Sequence, residues 1–265
     1  MFQASALVFF LSGLFTSTAW ADQPPAQHPQ PRLAVIIDDL GDRADLDFQV
    51  VNLPVPLSCA ILPHTPHGAL VARRCQEQDK DVMLHIPLQA ESFNELLGPG
   101  RLELDMDEAT FRETFRESLA SVPGAVGVNN HMGSLLTRHP GAMTWLMEEL
   151  NEAGLFFVDS RTTTQSVAMK MAQEQSVPAT QRDIFLDSDQ DIDAIEAELE
   201  RAIRIAHDHG EAVVIGHPYP ETVEVLSRRL PWLELETGIQ LISITELIGR
   251  EAAFPMNDYI LNQEE

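Results

Sequence analysis

Short apolar runs alternate along the chain with longer segments in which apolar residues recur every three or four positions. The apolar runs predict strands over residues 33–37, 55–62, 81–84, 125–128, 155–158, 183–186, 212–215 and 240–244. Between them lie amphipathic helices, such as the one with Phe111, Phe115 and Leu119 on one face. Buried strands that alternate with helices form parallel sheets with right-handed crossovers. The pattern therefore predicts an α/β protein with about seven or eight parallel strands, in a closed β/α barrel or an open sheet.

The N-terminus has a different composition. Residues 1–21 contain no charged side chain, have an apolar core from Ala6 to Phe15 and end in Ala19-Trp20-Ala21. This composition predicts a secretory signal peptide over 1–21, with a retained membrane anchor as the alternative. The apolar run is short for a membrane span, so we expect no stable membrane insertion after cleavage.

Residues 22–32 contain four prolines and three glutamines, which predicts a disordered leader. No Pro/Gly/Ser-rich linker follows Arg32, so residues 33–265 are expected to form a single domain.

The charge balance limits the choice of partners. The chain has 17 basic and 41 acidic residues, a formal net charge of −24. Such a surface repels nucleic acid and anionic lipid headgroups, which excludes both as principal partners.

The chain has two cysteines, Cys59 in an apolar strand-like run and Cys75 on a predicted helix. In an oxidising compartment they could form one disulfide, but their positions do not require it. No Cys-x-x-Cys spacing occurs, which excludes thiolate zinc sites and thioredoxin-type chemistry.

Polar side chains that can bind metals or move protons follow nearly every predicted strand. They are Asp38, Asp39, His64, His85, His131, Asp159, Arg161 and His217. The carboxyl ends of parallel strands meet at one mouth of a barrel, or at the switch point of an open sheet. A single histidine in such a position is usually structural, but four at the same end indicate a shared site.

Imidazoles combined with one carboxylate suit a divalent metal, above all zinc. Asp39, His85 and His131 are the first choice of ligands, and His64 could replace one of them. A catalytic zinc keeps an open position for water beside three protein ligands.

The remaining polar residues have candidate roles around such a metal. Asp38 could act as a base or orient a ligand, and His217 could act as a general acid from the opposite wall. Adjacent residues at a strand end point to opposite sides, so we expect only one of Asp38 and Asp39 to face the centre squarely.

Substrate contacts are predicted for His64, Asn129, Asn130, Asp159 and Arg161. The two asparagines and the arginine could hold substrate hydroxyls or a developing oxyanion. The alternatives are an ordinary turn at the asparagine pair and a buried brace in which Arg161 neutralises Asp159.

Six sequence blocks appear in order: IIDDLG, ILPHTPHG, MLHIPL, GVNNHMGS, FFVDSRT and IGHPYPETV. With these blocks the chain resembles the divergent polysaccharide deacetylase family of exported bacterial proteins, from Leu33 to about Arg250. The resemblance implies a distorted parallel β/α barrel like that of nodulation-type deacetylases. Those enzymes use a metal-bound water to hydrolyse acetyl groups of sugar polymers.

The resemblance also implies roles for single residues. Asp38 and Asp39 match the Asp-Asp motif of the broader group, in which the first acid is the base and the second a metal ligand. His217 resembles the late histidine that acts as general acid. The broader group takes two metal histidines from one His-x-x-x-His motif, whereas here His85 is followed four residues later by Gln89. The second imidazole would then come from His131.

The sequence thus predicts a periplasmic, metal-dependent hydrolase that acts on acetyl groups of an envelope polysaccharide such as peptidoglycan. The alternative is a catalytically silent accessory protein that uses the same cleft to bind a glycan or an envelope protein partner.

Overall fold

The structure is a computed structural model, and it describes Met1 and residues 30–253, with side chains to residue 249. The predicted signal peptide and most of the predicted leader lie outside the described residues. The strands are β1 (Arg32–Leu40), β2 (Ser58–Ile61), β3 (Asp81–Leu88), β4 (Gly127–Met132), β5 (Phe156–Asp159), β6 (Ala179–Gln181), β7 (Ile184–Phe185), β8 (Glu211–Gly216) and β9 (Gln240–Ile242).

Helices follow most of these strands. They are α1 (Ala44–Val51), α2 (Gly68–Glu77), α3 (Glu108–Ser121), α4 (Pro140–Ala153), α5 (Ala168–Glu174), α6 (Ile192–His209), α7 (Pro220–Arg229), α8 (Leu233–Thr237) and α9 (Ile244–Ala253). Gly154 and Gly210 take positive φ angles of 68° and 89° and end α4 and α6. No helix in the described part of the chain has both the length and the apolar character needed to cross a membrane.

All strand pairs are parallel, in the order β6-β5-β4-β3-β2-β1-β8-β7, and β9 pairs with the start of β1. Within the described residues no ladder joins β6 to β7, so the curled sheet is an incomplete barrel. The α/β fold and the distorted parallel barrel are thereby confirmed as one domain.

The sheet is buried on both faces. In β1, Ala34 and Ile36 belong to an inner apolar cluster, whereas Val35 and Ile37 pack in the outer layer beneath the helices. This explains why the strand is continuously apolar rather than alternating. Leu247 and its neighbours on α9 belong to the inner cluster, and the backbone N–H of Thr245 donates to Asp81 at the start of β3. Helix α9 therefore covers the amino-terminal end of the barrel and leaves the carboxyl end open.

Several predicted strand boundaries are wrong. Strands β1, β3 and β4 run three or more residues beyond the predicted ends, so their functional side chains lie within the last strand residues rather than after them. Strand β2 is shorter than predicted and begins at Ser58, because Pro54 and Pro56 lack N–H donors and Lys80 binds the carbonyls of Leu53 and Val55. Helix α5 and strand β6 were not predicted.

Cys59 on β2 and Cys75 on α2 form a disulfide, which the sequence left open. Both cysteines are fully buried. The bond ties β2 to the helix that follows it.

Candidate functional site

The end of β1 contains a local irregularity that brings two neighbouring carboxylates to one place. The pairing of β1 with β2 shifts register between Ile37 and Leu40, and Asp39 takes a φ of +57°. Oδ2 of Asp38 and Oδ1 of Asp39 lie 3.5 and 3.3 Å from Nε2 of His85. Both acids therefore reach His85, while only Asp39 belongs to the group of candidate metal ligands. The bulge breaks the alternation of a regular strand, and positive φ at a non-glycine residue is the kind of strain that collects at functional sites.

Asp39, His85 and His131 form a compact triangle of ligand atoms. Oδ1 of Asp39 lies 3.0 Å from Nδ1 of His131 and 3.3 Å from Nε2 of His85, and the two ring nitrogens are 3.3 Å apart. Ligands bound tetrahedrally to zinc at ordinary bond lengths are separated by about 3.3 Å, and neighbouring ligands of an octahedral ion by about 2.9 Å. One divalent ion can therefore reach all three atoms without rearrangement.

The hydrogen bonding of Asp39 provides a further test of fit. Its Oδ1 is buried but accepts no well-aligned hydrogen bond from any described residue, although two ring nitrogens point at it. Burial would raise the pKa of this carboxyl, but the rings of His131 and His85 hold it well below its usual range. An ionised, unsatisfied carboxylate oxygen facing two imidazole nitrogens fits a cation.

Asn129 fixes the orientation and tautomer of His85. Its Nδ2 donates to Oδ1 of Asp38 at 2.7 Å, and its Oδ1 lies 2.9 Å from Nδ1 of His85. An amide oxygen only accepts hydrogen bonds, so Nδ1 of His85 carries the proton and Nε2 presents its lone pair to the triangle. All three side chains are almost completely buried.

Asp38 lies behind the triangle rather than in it. Burial raises its pKa, opposed mainly by the charges of His85 and His217. A carboxyl with a raised pKa beside a metal triangle is suited to accept a proton from water.

His217, at the end of β8, lies on the other side of the same mouth. Its Nε2 is 4.0 Å from Oδ2 of Asp39, and its Nδ1 donates to Oδ1 of Asp187 at 2.8 Å. Asp187 also accepts from the backbone N–H of His217 and from the Thr222 hydroxyl. Burial opposes charge on the ring, but Asp187 and the acids of β1 raise the pKa of His217 to about 9. The histidine is therefore a proton donor at neutral pH.

Among the predicted substrate contacts, Asn130 binds the backbone of the fold and His64 has no contact with the triangle in the described residues. Asn130 donates to the carbonyl of Met132 and accepts from the N–H of Ser160, so both ends of its amide bind backbone. His64 has an exposed side chain beside Gly100, and its N–H donates to Ser121. None of the described contacts joins His64 to the triangle.

Asp159 is the last residue of β5, and Arg161 follows the strand at the rim of the mouth. Oδ1 of Asp159 accepts from the backbone N–H of Arg161 at 2.8 Å. The guanidinium of Arg161 makes no direct ion pair with Asp159, but its charge, like that of Arg182, lowers the pKa of this carboxyl against the effect of burial.

The sequence did not identify Asp187 and Arg182 as site residues. Asp187 directly follows the predicted strand 183–186, so its place at a strand end could be read from the sequence, but β7 is only two residues long and gives a weak signal. Arg182 lies 3.7 Å over the ring of Phe185 and donates to the carbonyls of Ser160 and Arg161. No local pattern marks Arg182, because its role depends on contacts between separate strands.

Comparison with known proteins identifies relatives of this chain. A curated protein of Haemophilus influenzae, described as uncharacterized, is 36% identical over 254 residues, covering 96% of this chain and 87% of the relative. The crystal structure of an uncharacterized protein from Agrobacterium tumefaciens C58 superposes with a TM-score of 0.79 at 20% identity, covering 84% of this chain and 92% of the other.

The peptidoglycan deacetylase PdaC from Bacillus subtilis shares the fold at a TM-score of 0.50 and 8% identity, with 84% of this chain and 94% of the other covered. The family model for divergent polysaccharide deacetylases matches residues 35–248, which includes every residue of the mouth. The chain therefore belongs to the divergent polysaccharide deacetylase family.

Proposed function

We propose that this protein is an exported, metal-dependent hydrolase that removes acetyl groups from a glycan of the bacterial envelope. The observation that carries the proposal is the triangle of Asp39, His85 and His131, with a buried acid on one side and a charged histidine on the other. A divalent ion held there, most suitably zinc, supplies Lewis acidity and makes water a nucleophile near neutral pH.

Two side chains on opposite sides of the mouth carry out the two proton transfers. Asp38 accepts the proton of the attacking water, and Asn129 holds its carboxylate in place. His217 donates a proton from Nε2 to the departing amine or alcohol, while Asp187 stabilises its charge. The two groups need opposite protonation states at the same pH, and their different partners provide them.

Family membership supports an acetylated polysaccharide as the substrate. The name of PdaC refers to peptidoglycan, and envelope glycans of this kind meet an exported enzyme directly. The buried disulfide between Cys59 and Cys75 supports an oxidising compartment, and the apolar segment 6–15 supports export to the periplasm.

A catalytically silent accessory protein is the second candidate, motivated by Gln89 at the position of the second family histidine. Gln89 binds the N–H of Leu104 through Oε1 and is thus part of the β3–α3 loop. His131 supplies an imidazole at the triangle instead. The missing motif therefore does not remove a ligand, and the hydrolase is favoured.

Acetate release from acetylated peptidoglycan and chitin fragments tests the proposal. The zinc-loaded protein is compared with Asp38→Asn and His217→Ala, and with the exposed residue Asp45 on α1 changed to Asn as a control. We expect acetate release by the parent and the control, abolished by chelation and reduced at least about a hundredfold in the two site variants. Fragment binding without acetate release, unaffected by chelation, would instead identify the accessory protein.

A further inference from the structure

Arg161 occupies a position at the rim of the mouth that the proposed reaction leaves without a role. The residue before it, Ser160, has its hydroxyl 3.5 Å from Nδ2 of Asn129, which holds Asp38 and His85. The residue after it, Thr162, donates to the carbonyl of Met132, which directly follows the ligand His131. The two residues that flank Arg161 in the sequence therefore both contact residues of the site.

The backbone around Arg161 is firmly held. Its N–H donates to Asp159 and its carbonyl accepts from Arg182, which also binds the carbonyl of Ser160. Asn130 binds the N–H of Ser160. Arg161 itself has a φ of +47°, which is a strained conformation for a non-glycine residue. These hydrogen bonds hold the strained backbone in place and so fix the position of the Arg161 Cα atom.

The guanidinium, in contrast, makes no direct polar contact. It forms no hydrogen bond or ion pair with any described residue, and the side chain is partly exposed. Its charge acts from a longer distance on Asp159 and on Arg182. The nearby Arg182 uses its own nitrogens on backbone carbonyls and stacks on Phe185. In a chain with 41 acidic and 17 basic residues, a partly exposed guanidinium whose N–H donors have no partner among the described residues is available for an anionic ligand.

We infer that Arg161 is a subsite for a carboxylate of the substrate, and hence that the glycan is acidic. The inference rests on the proposed function for the class of substrate. A uronic acid and the lactyl ether of N-acetylmuramic acid both carry such a carboxylate within one sugar of an acetamido group.

One guanidinium matches one carboxylate in charge and in bidentate geometry. A phosphate monoester would bring a charge of about −1.5 to −2, of which Arg161 balances one unit, while the charge of the nearby Arg182 is already opposed by Asp159 and Asp183. The surplus charge disfavours phosphate and leaves a carboxylate as the ligand.

Calorimetric titration of the zinc-loaded protein tests the inference with four probes. The first pair is N-acetylmuramic acid and its methyl ester. The second pair is a tetrasaccharide of alternating glucuronic acid and N-acetylglucosamine and the same tetrasaccharide with its carboxyls reduced. The two members of each pair differ in charge but carry the same acetamido group. Comparison of the two pairs distinguishes a lactyl carboxylate from a uronic acid carboxylate.

Three variants accompany the parent. Arg161→Asn removes the charge, and asparagine tolerates positive φ better than most other non-glycine residues. Arg161→Lys keeps the charge without the bidentate fork. Arg204→Asn makes the same charge change at an exposed site on α6 and serves as the control.

We expect the parent and the Arg204 variant to bind at least one acidic probe roughly tenfold or more tightly than its neutral partner. Arg161→Asn should lose this preference while binding neutral probes as the parent does, and Arg161→Lys should retain part of it. Zinc content, measured on the same samples, should be unchanged.

Equal affinity of the parent for both members of each pair, or no binding of either acidic probe, would overturn the inference. An equal loss for acidic and neutral probes in Arg161→Asn would also overturn it, since that result indicates a contact to the common acetamido group. Charge-dependent binding without acetate release would leave the subsite standing and refute the hydrolase instead.

Discussion

Oδ1 of Asp187 lies 2.8 Å from Nδ1 of His217, although the two residues are 30 positions apart and follow different strands. The pair orients Nε2 of His217 toward the ligand triangle, 4.0 Å from Asp39. Asp187 is thus a positioning residue, which acts on the reaction through the charge and orientation of the histidine.

Replacing Asp187 with Asn should lower the pKa of His217. In the parent the pKa is raised to about 9 by Asp187 and the β1 acids, against the effect of burial. Without Asp187 the pKa should fall toward the ordinary value of about 6.5. NMR titration of the histidine ring in metal-free protein measures it, and an unchanged value in Asp187→Asn would contradict the assigned cause.

The same pair makes the stability of the fold depend on pH. Because the folded pKa of His217 lies above its ordinary value, the stabilisation is complete below about pH 6.5 and is lost as the pH rises through about 9. Denaturant unfolding of the parent and of Asp187→Asn should therefore show a difference in the free energy of unfolding that shrinks between about pH 6 and about pH 10. A difference that grows over this range would contradict the sign of the effect.

Asn129 and Asn130 should respond differently to the same substitution. Asn129→Leu removes the acceptor that fixes the His85 tautomer, so zinc affinity should fall roughly 10- to 100-fold. Asn130→Leu removes two bonds to backbone and should lower the free energy of unfolding by about 1–3 kcal/mol while zinc affinity stays near that of the parent. Competition with a chromogenic chelator and denaturant unfolding separate the two effects. Parental zinc affinity in Asn129→Leu would contradict the role given to Asn129.

The disulfide between Cys59 and Cys75 should contribute measurably to stability. The cysteines are 16 positions apart, and closing a loop of this length stabilises a fold by about 3 kcal/mol. Reductant should lower the unfolding free energy of the parent by roughly this amount and leave a variant with both cysteines changed to Ala unaffected. An equal response to reductant in both proteins would show that the bond does not stabilise the fold.

The positions of the main site residues could be predicted from the sequence because strand ends converge in a parallel fold. Asp39, His85 and His131 follow apolar runs, so their convergence required only the order of the strands. The shared orientation of Asp38 and Asp39 could not be predicted, because it depends on a bulge and a positive φ that no local pattern encodes. Asp38 therefore remained either a base or an orienting residue.

The partners of those residues were harder to identify. Asn129 was expected to contact substrate, but its amide lies between Asp38 and His85, and only the three-dimensional arrangement shows that both ends are used. Asp187 follows a predicted strand, but its contact with His217, 30 positions away, is visible only in the folded chain. The signal peptide, the periplasmic location and the identity of the metal stay predictions.

Metal content, measured by mass spectrometry on mature protein purified without chelator, tests the central claim most directly. The parent is compared with Asp39→Asn and His131→Ala, and with His207→Ala on α6 as a folded control that keeps the triangle. The account predicts about one zinc or similar ion per chain in the parent and the control, and loss of the ion in both ligand variants. A folded parent that contains no metal and takes up no added zinc would contradict it.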